Sequence, residues 1–227
     1  MQKNTFELDG HTVWLYAGSA PEILFLQPVD THDTGALDRQ IAAMETCTLP
    51  FALAAFEVQD WNRDLSPWEA PPVFGKVPFG GGAEETLRFV TERLLPELRD
   101  RLTLQEGMRL CIGGYSLAGL FALWAATRTG IFSGVAAASP SVWFPGWMDY
   151  AKQNPLRAST VYLSLGDREE RTKNPVMAAV GERIRELYAL LQPDHVAALE
   201  WNEGNHFREP DLRTAKAFCW AAAQGNG

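Results

Sequence analysis

Short apolar runs alternate with longer helical patterns along this chain, which is how a mostly parallel sheet covered by helices looks in sequence. The runs at 11–16 and 22–26 predict two strands separated by a Gly-Ser-Ala-Pro turn, and FALAAFEV at 51–58 predicts a third. Further strands are expected at 108–113, 134–138, 160–165 and 196–201. Helical spacing is weak over 33–47 and clear over 83–101, 117–128, 175–191 and 212–223. The helix at 83 follows Gly80-Gly81-Gly82 and carries Glu84 and Glu85 in its first turn, as the helix dipole favours. A glycine-rich helix start can hold phosphate, but the Lys-Ser/Thr of a P-loop is missing.

The segment 59–82 breaks this rhythm. Pro67, Pro71, Pro72 and Pro78 exclude a regular helix, since each lacks a donor and restricts its predecessor. A long loop carrying Trp61 and Trp68 is either a substrate wall or a loop pinned to the core by its tryptophans. With no internal repeat and no interdomain linker, the expectation is one domain spanning 1–227.

Composition narrows the function. At 46% hydrophobic and 21% charged the chain is an ordinary folded protein, and disorder explains no large part of it. A net charge of −8 argues against a nucleic-acid partner, because phosphate tracking needs clustered Lys and Arg. Cys47, Cys111 and Cys219 are widely spaced and form no CxxC pair. Neither a zinc site nor a disulfide framework is indicated, and buried apolar roles are expected for Cys111 and Cys219. No apolar leader opens the chain and no run approaches the roughly 20 apolar residues of a membrane span. A cytoplasmic location is the expectation, with no metal and no organic cofactor.

The chemistry centres on Gly114-Tyr115-Ser116-Leu117-Ala118-Gly119, set between an apolar strand and an apolar helix. This is the context of a nucleophile elbow, in which a serine sits on a strained turn. Its neighbours two positions away must be small, and Gly114 and Ala118 are, although glycine is usual where Ala118 stands. The turn aims the Leu117 N–H at a developing oxyanion. Alternatively, the serine hydroxyl only caps the following helix. Of four histidines, His206 stands in a polar loop after the last strand, where the base of this fold belongs; His32, after the second strand, competes only for a lesser role. The orienting acid should follow the strand at 160–165, where Asp167, Glu169 and Glu170 are all available. Asp211 comes after His206, in the wrong order, and is expected to cap the last helix. The second oxyanion donor should come from 27–30, with Val29 or Asp30 favoured because Pro28 lacks an N–H. Trp61, Trp68, Tyr115, Trp143, Phe144 and Trp147 are candidates for a substrate-binding wall, with core packing as the alternative.

With these residues in view, the chain resembles the putative-esterase family of α/β-hydrolases over about residues 20 to 223. That family includes esterase D, feruloyl esterases and siderophore esterases. The resemblance rests on Gly114-Tyr-Ser-Leu-Ala-Gly-Leu, Ala138-Ser-Pro-Ser-Val-Trp-Phe, Gly166-Asp-Arg-Glu and Gly204-Asn-His-Phe. It implies an α/β-hydrolase fold with helices on both faces of the sheet, minimal N-terminal strands and no large cap domain. In relatives the acid often stands three residues after the strand-ending glycine, which here is Glu169. The usual His-Gly of the oxyanion loop appears as Gln27-Pro28. The tract 60–68 looks like one in uncharacterised small bacterial hydrolases. The implied activity is hydrolysis of a small-molecule ester by Ser116, His206 and Glu169. An acyltransferase with the same triad, or a non-catalytic binding module, are the rival expectations.

Overall fold

The computed structural model describes residues 1–31, 34–102 and 107–225. His32, considered above for a lesser role, lies outside them.

An eight-stranded sheet runs in the order β1-β2-β4-β3-β7-β8-β9-β10. Its strands are β1 (Gln2–Leu8), β2 (His11–Ala17), β3 (Ile23–Val29), β4 (Phe51–Glu57), β7 (Arg109–Tyr115), β8 (Gly134–Ala138), β9 (Thr160–Gly166) and β10 (Val196–Asn202). β1, β2 and β4 pair antiparallel, and every pairing from β4 across to β10 is parallel. The parallel centre explains the continuous apolar runs. Every residue of β3, β8 and β9 is buried, because helices cover both faces.

One face carries α1 (Thr34–Met44) and α9 (Pro210–Ala223). They pack on Phe25, Leu53, Cys111, Ala136 and Tyr162. The intervening positions, among them Leu24, Leu26, Ile112, Val135 and Leu163, face a larger core on the other side. That side is covered by α5 (Leu117–Arg128), α6 (Trp147–Gln153), α8 (Val180–Leu191) and the run from 83 to 102. The alternation of Ile23 and Phe25 against Leu24 and Leu26 is the period of two expected of a strand with two cores.

Several elements depart from expectation. β1 was not foreseen, because its residues are polar and mostly exposed at the sheet edge. Its signal lay in Asp9-Gly10, where both residues take positive φ (50° and 84°) in the turn to β2. The segment 59–82 is more regular than a loop: α2 (Trp61–Asp64) is followed by β5 (Glu69–Ala70) and β6 (Phe79–Gly80), which pair antiparallel. Asp60 caps α2 by accepting the Arg63 N–H, and the Asp64 carboxylate accepts the N–H groups of Gln59 and Asp60. The helix at 83–101 is α3 (Ala83–Phe89), a π turn (Val90–Leu94) and α4 (Leu95–Leu102) end to end. The π turn ends two residues before Pro96, which has no N–H to give to residue 92. Residues 175–191 divide into α7 (Pro175–Ala178), capped by Asn174, and α8. α6 has too few turns to show a period in sequence.

The cysteines are the main correction. Cys47 and Cys219, read as unpaired, form a disulfide across 172 residues of sequence, and only Cys111 is free. Helix packing of α1 against α9 brings the two together, which their spacing could not reveal. The bond also removes the cysteine argument for a reducing compartment. No described helix is long and apolar enough to cross a membrane.

Reduction should therefore lower stability by about 2–4 kcal/mol, the usual range for a bond closing a long loop. Melting with and without reductant should show a fall on the order of 10 °C for a domain of this size. Cys47→Ser should melt like the reduced wild type and be insensitive to reductant; equal melting of all samples would mean that the bond contributes nothing.

Candidate active site

Register brings four carboxyl-terminal strand ends into one row. Tyr115 of β7 pairs with Ala138 of β8, Ala138 with Ser164 of β9, and Gly166 of β9 with Asn202 of β10. Ser116 and Ser139 follow their strands immediately, and Glu169 and His206 come three and four residues after theirs, so four distant stretches of sequence meet at one edge. This is the carboxyl edge at which open α/β sheets bind ligands.

Ser116 joins β7 to α5 with φ 59° and ψ −120°, a conformation that costs a non-glycine residue about 1–3 kcal/mol. Its N–H donates to the Ala138 carbonyl and its carbonyl accepts from Ser141 N–H, which hold the turn from both sides. A Cβ at Gly114 would lie 2.6 Å from the Ala118 Cβ, so one glycine of the pair is required and alanine fits at the other. Leu117 opens α5, and its N–H belongs to the first turn, which intrahelical carbonyls leave unpaired.

The Ser116 hydroxyl lies 3.0 Å from His206 Nε2, and His206 Nδ1 lies 2.7 Å from Glu169 Oε2. Among the three acids considered from sequence, Glu169 touches the imidazole. Asp167 instead accepts the Gly204 N–H at 2.7 Å, which buttresses the histidine loop, and Glu170 pairs with Arg185. His11 and His195 each bond a backbone carbonyl, of Glu57 and Ala158.

The other carboxylate oxygen of Glu169 accepts from the Gly166 N–H at 2.7 Å, the Ser139 hydroxyl at 2.8 Å and Arg213 at 3.1 Å. The side chains of Glu169 and Arg213 are 4% and 5% exposed, so this is a buried ion pair inside a hydrogen-bond network. Arg213 also donates to the Tyr115 hydroxyl and to the Glu203 carbonyl. The Tyr115 hydroxyl in turn donates to the His206 carbonyl. Burial, with the Glu169 carboxylate nearby, pushes the Tyr115 phenol up to about 12, so it keeps its proton. Sequence reasoning missed Arg213. The signal was there: Arg213 shares a helical stripe with buried Ala217 and Ala221, and a cation on such a stripe needs a buried partner.

A cleft of about 280 Å³ opens at Ser116 between the end of β3, α1 and the start of α9. Trp61 and Tyr115 line it, together with Gln27, Gln40 and Phe207. The other expected wall residues do not. Trp68, Trp143 and Phe144 pack with Phe79 and Tyr150, and the Trp68 indole donates to the Pro145 carbonyl. Trp147 is wholly buried. These rings anchor residues 61–80 to the core. Val29 also departs from its expected place: it ends β3 and is fully buried. Its carbonyl accepts from Val58 N–H, so its peptide groups face β4 and away from Ser116. Asp211 is not the cap of α9 but lies in its first turn, paired with Arg39.

The sequence profile of the Putative esterase family matches residues 11–207. The chain belongs to the Putative esterase family. It is therefore a hydrolytic enzyme with an α/β-hydrolase fold. Among solved structures, the siderophore hydrolase EstA from Aspergillus nidulans is similar at a TM-score of 0.69 and 21% identity, over 97% of this chain and 93% of that one. The enterobactin hydrolase IroE, in a complex with DFP, gives 0.70 and 18% over 98% and 95%. An IroE-like serine hydrolase from Shewanella oneidensis gives 0.73 and 13% over 96% and 79%. No curated protein matches the chain by sequence.

Within this esterase-family fold, Arg213→Met leaves the buried Glu169 carboxylate without its cation and should destabilise by about 3–5 kcal/mol. The double variant Arg213→Met/Glu169→Gln should recover part of that loss in a denaturation cycle. Strict additivity of the two single changes would show that the pair is not coupled.

Proposed function

We propose that this protein hydrolyses a carboxylic ester of a small molecule through an acyl-enzyme on Ser116. The observation that carries the proposal is the continuous relay from the Ser116 hydroxyl through His206 to the buried Glu169, opening onto the cleft. His206 takes the serine proton as the oxygen attacks the acyl carbon, and returns it to the departing alcohol. Water then enters, gives its proton to His206 and attacks the acyl group; collapse of the second tetrahedral species returns the proton to Ser116 and releases the acid. Glu169 keeps the Nδ1 proton of His206 in place and stabilises the imidazolium.

The Leu117 N–H is one oxyanion donor. The second comes from the carboxyl end of β3, and here the Val29 assignment gives way to Asp30. Alternation along an extended chain turns successive peptides to opposite sides, and the Val29 peptide faces β4. Trp61 and Tyr115 form the aromatic wall of the substrate cleft. A small ester as substrate is supported by the neighbours, which are named for siderophores and enterobactin.

Intact mass after exposure to a fluorophosphonate should show one adduct on wild type, none on Ser116→Ala and slow labelling of His206→Ala. Folded wild type that stays unlabelled would sink the proposal in favour of a binding module. Glu169→Gln should lower kcat on a p-nitrophenyl ester by on the order of 10³–10⁴-fold. Asp167→Asn, which touches the loop and not the imidazole, should cost far less in the same assay.

A further inference from the structure

Two glutamine side chains are buried where the cleft enters the fold. Gln27 of β3 is 6% exposed and Gln40 of α1 is 2% exposed, and both line the cleft that contains Ser116. They form a reciprocal pair: Gln40 Nε2 donates to Gln27 Oε1 at 2.6 Å, and Gln27 Nε2 donates to Gln40 Oε1 at 3.3 Å. Pro28, Ala36 and Leu37 share the lining with them, as do Asp30, Asp211 and Thr214, and Met44 lies one helical turn from Gln40.

A primary amide offers two N–H donors and an oxygen with two acceptor sites. The reciprocal pair uses one donor and one acceptor site of each. Among the described residues, the second Gln40 N–H meets only the weak acceptor Met44 Sδ, at 3.9 Å. Remaining capacity on both amides is thus held next to a cleft, in a place where methionine or leucine would pack without desolvation cost. Buried polar groups are kept hydrogen-bonded because leaving them short is expensive. A group entering the cleft that both donates and accepts would complete them.

Building on the hydrolase reading above, we propose that the Gln27–Gln40 pair is a specificity element that selects esters bearing a neutral carboxamide or hydroxyl beside the scissile group. Amides carry no net charge, so the pair recognises donor and acceptor together and not an ion. Because the two side chains brace each other, their orientation is set before substrate arrives.

The test is a selectivity ratio between isosteres, read in two arms that distinguish the acyl from the alcohol side. In the acyl arm, p-nitrophenyl N-acetylglycinate is compared with p-nitrophenyl isocaproate. In the alcohol arm, the butyrate of glycolamide is compared with isobutyl butyrate. Each ratio is divided by that for hydroxide hydrolysis of the same two esters, because the amide itself activates the ester. After that division wild type should prefer the amide-bearing ester in one arm by about 3–10-fold in kcat/KM, the effect of one or two neutral hydrogen bonds. Gln27→Met/Gln40→Met removes both partners at nearly constant shape and should bring that ratio close to one, chiefly through KM. A wild-type ratio near one in both arms overturns the inference, whether or not the double variant folds. A ratio that survives in a folded double variant overturns it equally. Fluorophosphonate labelling of Ser116 separates the two levels: labelled enzyme without amide preference refutes this inference alone, whereas unlabelled enzyme refutes the hydrolase reading as well.

Discussion

The buried carboxylate of Glu169 is the constraint on which the site's geometry depends. A carboxylate withdrawn from water costs several kcal/mol unless partners replace its hydration. Here one oxygen takes the Gly166 N–H, the Ser139 hydroxyl and Arg213, while the other faces His206. Those four donors come from the strand-ending β9 turn, the turn after β8, helix α9 and the loop after β10. Satisfying one charge therefore locks four segments in relative position. The histidine loop is held a second time by Asp167 on Gly204 N–H and by Tyr115 on the His206 carbonyl.

Ser116 is positioned by a different means, steric closeness. Ser116 keeps a strained backbone because its own N–H and carbonyl are tied to Ala138 and Ser141, and because Gly114 and Gly119 allow strand, helix and the turn at Pro140 to meet. Such strain persists only where surrounding contacts over-determine it. Polar tethering sets His206 and small-residue packing sets Ser116, and their meeting distance of 3.0 Å results from both.

The aromatic residues divide along similar lines. Trp68, Trp143, Phe144 and Trp147 form a packed cluster that fixes the 61–80 segment to the core, while Trp61 from the same segment reaches the cleft. One stretch of chain thus both lines the cleft and anchors to the core. The disulfide and the Arg39–Asp211 pair join α1 to α9, the two helices that border the cleft.

Local pattern alone determined the parallel centre of the sheet, the strand-to-helix turn at Ser116 and the loops that carry Glu169 and His206. Each is written in neighbouring residues: continuous apolar strands, small residues flanking a serine, a glycine-bounded polar loop. The edge strand β1 was also local, in Asp9-Gly10, but its exposed strand lacked the apolar alternation that reveals a half-buried one. Tertiary structure decided what depends on separations far along the chain. It brought Glu169, and not Asp167 or Glu170, to the imidazole, and placed Arg213 behind it. It paired Cys47 with Cys219, packed four expected wall aromatics against the core and turned the Val29 peptide toward β4. Spacing in sequence carries periodicity, and periodicity says which face a residue occupies; which distant residue stands opposite is set only when helices and strands pack.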